Sequence, residues 1–332
     1  MRRDRLDAAA PLSIDAPTPG GVPVIEHAPP RRVEHRRHSG LVAILTVMDR
    51  HPSTGQSYRE RGPAPILQPY LTCVWVQQVA ADSVPYSHRT VPNGSAEIVC
   101  QVGDVPWLVG PQTGPTEELL SPGTTVVGVR FRPGAAPAVL GVPASELVDQ
   151  SFATAELWGS AADALGERVF AAGSPRDAAA VIEAEIVARL ARAAADPDPI
   201  AAEVVRQLGP GLHEDVASLT SALYISERQL RRRCAAAIGL APKVLQRTFR
   251  FQAFLALAQD RAHPSTELAR LATEAGFADQ SHLTRESVRL AGVPPGRLMR
   301  EAERNCKPAH DHAASYGSFV RAHASRFAAH AS

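Results

Sequence analysis

Two stretches near the C-terminus carry side chains whose types and spacing suit hydrogen bonding to DNA. They are Ser226-Glu227-Arg228-Gln229-Leu230-Arg231-Arg232-Arg233-Cys234 and Gly276-Phe277-Ala278-Asp279-Gln280-Ser281-His282-Leu283-Thr284-Arg285. The planar fork of an arginine can bond guanine O6 and N7 at once, and a glutamine can do the same for adenine. Arginines on the flanks of such a helix meet phosphates, which adds affinity without sequence information. The residues expected to face DNA are Arg228, Arg231 and Arg232 in the first stretch. In the second they are Gln280, Ser281, Thr284, Arg285 and Arg289.

Each set needs a helix presented at an angle to a second one, and the flanking residues predict that. In the first unit, Val216 to Leu223 reads as a short helix with Val216, Leu219 and Leu223 on one face. Tyr224-Ile225 makes the turn, and Ser226 caps the helix that follows. Leu230, Cys234 and Ile238 recur at i, i+4 and i+8 and define its buried face. In the second unit Ser265 caps a helix with Leu268 and Leu271 inward, and Gly276 makes the turn. Phe277 anchors that turn, Asp279 caps the second helix, and Leu283 and Leu290 are buried. Between the units, Pro242 to Gln259 reads as one long helix with Val244, Leu245, Phe249, Phe254 and Leu257 apolar. Such a spacer would set the two readers roughly 34 Å apart, one turn of DNA.

Charge agrees, but only locally. The formal net charge is +1, so no global field draws the chain to nucleic acid. From Ser226 to Arg250 there are seven basic residues against one acid, whereas Leu41 to Phe170 holds seven arginines against twelve acids. Cys73, Cys100, Cys234 and Cys306 show no zinc spacing, and between residues 41 and 170 His51 and His88 are far apart with no HxH pair, so neither metal nor cofactor is expected. No signal peptide is evident and the longest apolar run, Leu41 to Met48, is too short to span a bilayer. The expectation is a cytoplasmic, nucleoid-associated protein with no membrane partner.

Residues 1–40 read as a disordered leader and 305–332 as a disordered tail whose histidines are solvated. From Leu41 to Arg132 the pattern is β, with Leu67 to Val79, Glu97 to Val102, Trp107 to Gly110 and Thr125 to Phe131 as strands. Ala135 to Leu140, Ser145 to Asp149, Ala155 to Trp158, Ala161 to Ala171 and Arg176 to Ala194 read as helices, and Asp196-Pro197-Asp198-Pro199 as a linker. The fold class is therefore α+β. A β-rich barrel or cupin-like domain (41–170) is followed by a helical connector (171–199), then an all-α domain with two helix-turn-helix units (200–304).

The C-terminal part resembles the AraC/XylS transcriptional regulators. The family pattern S-x-R-x-L-x-R, with Gly and Pro following, is met by Ser226, Arg228, Leu230, Arg232, Gly239 and Pro242. The second-unit pattern is met by Leu268, Ala269, Gly276, Phe277, Asp279, Ser281, His282, Leu283, Arg285, Gly292 and Pro295. Three positions depart: Cys234 and Ser287 replace usually buried phenylalanines, and Val288 stands where a lysine is common. The departures predict a second unit that is less tightly packed or binds less strongly, so that the two units contribute unequally. The resemblance implies a promoter-binding regulator whose partners are double-stranded DNA, a small-molecule effector or protein at the N-terminal domain, and RNA polymerase. The N-terminal part resembles the cupin-like sensor of one branch of that family, through Val91-Pro92-Asn93-Gly94, Gly110-Pro111-Gln112, Gly128 to Gly134, Leu140 to Pro143 and Glu156 to Gly159.

Trp75, Trp107 and Trp158 are expected in the core. Arg130 and Arg132 share a strand face, where a surface salt bridge is favoured over an effector site. His282 is expected to be structural, and Cys234 to be core rather than a redox sensor. An enzyme carried to DNA by the helical domain would need Cys73 or Cys100 as nucleophile, and neither lies in an activated context. A non-enzymatic regulator is preferred.

Overall fold

The computed structural model describes residues 55–193, 196–209, 216–259 and 268–304. The expected strand material from 41 to 54, the Ser265 cap, the leader and the tail lie outside these. Among the described residues eight strands form: β1 (Gln56–Arg61), β2 (Leu71–Val79), β3 (Tyr86–Thr90), β4 (Glu97–Gln101), β5 (Trp107–Val109), β6 (Thr116–Leu120), β7 (Thr125–Phe131) and β8 (Ser151–Ala153). Six pair in the order β1-β2-β7-β4-β5-β8, and β3 and β6 make a separate two-stranded sheet. Every pairing is antiparallel.

The central strand β7 is buried on both faces, which is why Val126, Val127 and Val129 read as an unbroken apolar run. Val127, Val129 and Phe131 pack with Leu71, Ile98, Leu165 and Ile182 into the main core. The helices closing that side are α1 (Ala136–Leu140), α2 (Ala155–Trp158), α3 (Ser160–Phe170) and α4 (Pro175–Leu190). Ser174 caps α4 by accepting from the Asp177 backbone N–H, with Pro175 at its first position. On the opposite face of β7, Val126 packs with Cys73, Trp75, Val79 and Leu120, the last from β6. Gly128 is required there, since a Cβ would lie 2.4 Å from the Trp75 ring.

The all-α part comprises α5 (Pro199–Gln207), α6 (Val216–Ala222), α7 (Glu227–Ile238), α8 (Pro242–Gln259), α9 (Leu268–Glu274), α10 (Gln280–Ala291) and α11 (Pro295–Arg304). The expected α+β architecture, β-rich then all-α, is thus present. Three local readings change. Ala144–Glu146 is a single 3₁₀ turn rather than a helix over Ser145 to Asp149. Asp198 and Pro199 belong to α5, whose first amides the Asp198 carboxylate caps, and are not linker. Trp75 and Trp158 are core, whereas Trp107 is 38% exposed on the short strand β5. Among the described residues no helix is long and apolar enough to cross a membrane.

Candidate nucleic-acid interface

The two helix pairs repeat the same hydrogen-bonded turn. In the first, Leu223 N–H donates to Leu219 O (3.0 Å), Tyr224 to Ser221 O (3.3 Å) and Ile225 to Thr220 O (3.2 Å). In the second, Ala275 N–H donates to Leu271 O (3.0 Å), Gly276 to Thr273 O (2.9 Å) and Phe277 to Ala272 O (2.8 Å). The residue reversing the chain is left-handed in both, with φ +51° at Tyr224 and +85° at Gly276. Glycine adopts that conformation without strain; a tyrosine there costs roughly 1–2 kcal/mol. Tyr224→Gly should therefore raise the melting temperature of the helical domain, measured by circular dichroism of the full chain, by a few degrees.

Both second helices start on a cap. Ser226 and Gln229 form a reciprocal capping box at α7, and Asp279 Oδ1 accepts from His282 N–H at 2.6 Å at α10. Both end on a left-handed glycine, Gly239 and Gly292. The faces between are set as the spacing predicts. Leu230, Cys234 and Ile238 are buried in α7, and Leu283, Ser287 and Leu290 in α10. Ser287 is fully buried with its hydroxyl donating to Val293 O at 2.7 Å. Burial pushes the Cys234 thiol up to about 11, with Asp198 adding, which makes it a packing residue and not a thiolate sensor.

The residues expected to face DNA lie on the outward faces, Thr284 apart. Arg228, Arg231 and Arg232 are exposed on α7, and Arg231 also pairs with Glu227 one turn back. Gln280, Ser281, Arg285 and Arg289 are exposed on α10, while Thr284 is half-buried and donates its hydroxyl to Gln280 O at 2.8 Å. Arg233 is different: its guanidinium reaches Asp198 at 2.7 Å and ties α7 to the start of α5. His282 is structural, its ring edge-on to Phe277 at 5.3 Å with Nδ1 accepting from Ala278 N–H. Helix α8 serves both units: Leu245 and Phe249 join Leu230 and Cys234 in one core, and Phe251 and Phe254 join Leu283 and Leu290 in the other.

Residues 219–301 match the family described as a helix-turn-helix domain. The C-terminal domain is an AraC-type helix-turn-helix domain. Such a domain is the DNA-binding part of a transcription regulator. Residues 59–153, ahead of this AraC-type domain, match a domain of unknown function, DUF6597. Solved structures similar to the chain include three of ToxT from Vibrio cholerae. An apo lysine-to-alanine variant is 11% identical at a TM-score of 0.41, covering 76% of this chain and 99% of that one. A second ToxT structure is 9% identical at a TM-score of 0.39, over 74% and 97% of the two chains. A third, bound to (E)-4-(8-methylnaphthalen-1-yl)but-3-enoic acid, is 10% identical at a TM-score of 0.37, over 74% and 97%. No curated protein matches.

The N-terminal domain holds a polar cluster that the sequence did not reveal. Arg130 was expected in a surface salt bridge; it is instead held between the sheets, bonding Glu97 through Nε at 2.7 Å and Glu60 through Nη1 at 2.9 Å. Tyr58 donates to Glu60 at 2.8 Å, Trp75 Nε1 to Glu97 at 2.9 Å, and Asn93 to Glu97 at 2.9 Å. Burial works against the charge of Arg130, yet Glu97, Tyr58, Cys73 and Glu60 together hold the guanidinium well above its ordinary value. Arg132, one residue past the end of β7, instead donates to Gln68 O at the surface. Cys73 and Cys100 are both fully buried, and burial, with Asp104, pushes Cys100 up to about 11. Neither thiol has the access that nucleophilic attack needs.

His88 on β3 titrates beside this cluster. Burial lowers its pKa below the ordinary 6.5, Glu97 opposing and Arg130 adding to the depression. A depressed histidine contributes stability that is complete above pH 6.5 and is lost as pH falls from there toward the folded value. The urea midpoint should fall between pH 7.5 and 5.5, and His88→Gln should reduce that fall. An identical fall in the variant removes His88 from the account.

Proposed function

We propose that this regulator reads two adjacent major grooves of promoter DNA, one with α7 and one with α10, under control of its N-terminal domain. The observation supporting this most is that Arg228, Arg232 and Arg285 stand exposed on two N-capped helices built on the same turn and joined by one shared helix. Both helices keep their C-terminal ends against protein and leave their capped ends free. Their N-terminal dipole ends then favour phosphate as the side chains enter the groove. Control by the N-terminal domain is supported by its polar interior, Tyr58, Glu60, His88, Glu97 and Arg130, which offers donors, acceptors and charge to a small effector.

Selection of bound duplexes from a random pool tests the reading. The expected motif has two short conserved halves centred about one helical turn apart. Arg232→Ala should cost roughly 1–3 kcal/mol on the selected duplex and relax base preference in one half; Arg285→Ala should do so in the other. A uniform loss on all sequences would make either residue a phosphate contact. A motif with one half only would sink the two-reader arrangement.

A further inference from the structure

We propose that Arg89, on strand β3 of the N-terminal domain, is a positioning residue for base reading by α10; the proposal rests on the two-reader function above. Its guanidinium joins four elements. Nη1 donates to Ala291 O, the last residue of α10, at 2.6 Å. Nη2 lies 2.6 Å from Glu117 on β6, its cross-strand partner, and 3.3 Å from Glu301 on α11. The side chain is only 20% exposed.

Electrostatics explains why this spot needs an arginine. The C-terminal end of a helix carries partial negative charge on its unpaired carbonyls. Here two carboxylates sit beside that end, and among the described ion pairs Arg297 bonds Glu301, at 2.7 Å, and not Glu117. Without Arg89, the Glu117 and Glu301 carboxylates and the α10 terminus repel one another, and the Ala291 carbonyl loses a donor. A planar fork serves several acceptors together; an ammonium is a point charge. Gly292 leaves room for the contact, since a Cβ there would stand 3.4 Å from both Arg89 Nη1 and Pro115 Cγ.

The first reader is seated differently. Its terminal Gly239 packs directly on the Ala144 carbonyl and the Val148 side chain. Helix α8 is held on its own by Gln252, which donates to Pro92 O at 2.7 Å, and by Gly94 beneath Leu245 and Phe249. Loss of Arg89 therefore loosens α10 and α11 and spares α7 and α8. The N-terminal domain thus supplies a part of the second reader as well as any control over it.

The test uses the full chain and the duplex it selects from a random pool, with the α10 half identified as the half at which Arg285→Ala relaxes base preference. Mismatches are scored in each half for wild type, Arg89→Ala and Arg89→Lys. The penalty for a mismatch in the α10 half should shrink about fivefold or more in Arg89→Ala, of the order of one base contact, and remain unchanged in the α7 half. Arg89→Lys should fall between. Equal losses in both halves would reduce Arg89 to a general stabiliser and overturn the proposal, as would an unchanged α10 half. If the wild type selects no two-half motif, the two-reader function itself fails, and this proposal with it.

Discussion

Replacing Arg130 by methionine should lower the stability of the N-terminal domain by about 3–5 kcal/mol, the range for removing one partner of a buried ion network. Arg130 is bonded to the carboxylates of both Glu60 and Glu97, and both lie almost entirely out of water. The methionine fills the space of the arginine stem but leaves two buried negative charges facing each other. Trp75, Trp107 and Trp158 are the chain's three tryptophans and all lie in this domain, so fluorescence during urea unfolding reports it selectively. Adding Glu97→Gln to Arg130→Met removes one of the stranded charges and should restore part of the loss. If the single variant unfolds at the wild-type urea concentration, the cluster is solvated in solution and the interior offers no charged site to an effector. The sign is thus informative for function as well as for folding.

How much of this was legible differs between the two domains, for a physical reason. In the helical domain, Leu230, Cys234 and Ile238 recur at helical spacing, Ser226 and Asp279 are caps, and Gly239 and Gly292 are left-handed stops. These signals are local, so the two capped helices and their exposed faces follow from neighbours in the chain. The β domain hides its logic. β1, β3 and β6 are the polar runs QSYRER, YSHRT and TEELL, which lack the apolar alternation that marks a half-buried strand. They are strands because they line a polar interior, or pair at its edge, and their partners are distant. Glu60, Tyr58 and Glu97 meet Arg130 only through the register of β1, β2, β7 and β4. Arg89 is the extreme case: its strand is inconspicuous, and its carbonyl partner lies 202 residues further along. The motif Val91-Pro92-Asn93-Gly94 stood out in the sequence, but its role did not. It presents Pro92 O to Gln252, Asn93 to Glu97 and Gly94 to Leu245, joining the interior cluster to the spacer helix α8.

The two helix-ending glycines should respond unequally to the same substitution. Gly239 and Gly292 are both left-handed, at φ +82° and +74°, so an alanine at either bears roughly 1–2 kcal/mol of backbone strain. Their surroundings then separate them. A Cβ on residue 239 would stand 2.8 Å from both the Ala144 carbonyl oxygen and Val148 Cγ2. That carbonyl belongs to a hydrogen-bonded 3₁₀ turn and accepts from Leu147 N–H, so it cannot swing aside alone. Overpacking adds about 1–3 kcal/mol, for a total near 2–5 kcal/mol in Gly239→Ala. A Cβ on residue 292 meets only the tip of the Arg89 side chain and Pro115 Cγ, both at 3.4 Å, and a tip can move. Gly292→Ala should stay close to the backbone strain alone. Denaturation followed by circular dichroism gives the two losses, and mismatch scoring on the selected duplex gives their functional side. Gly239→Ala should weaken discrimination in the α7 half, Gly292→Ala that in the α10 half. Equal costs for the two variants would mean that α7 is not seated on the 144–148 segment in solution, and the first reader would then be free of the N-terminal domain.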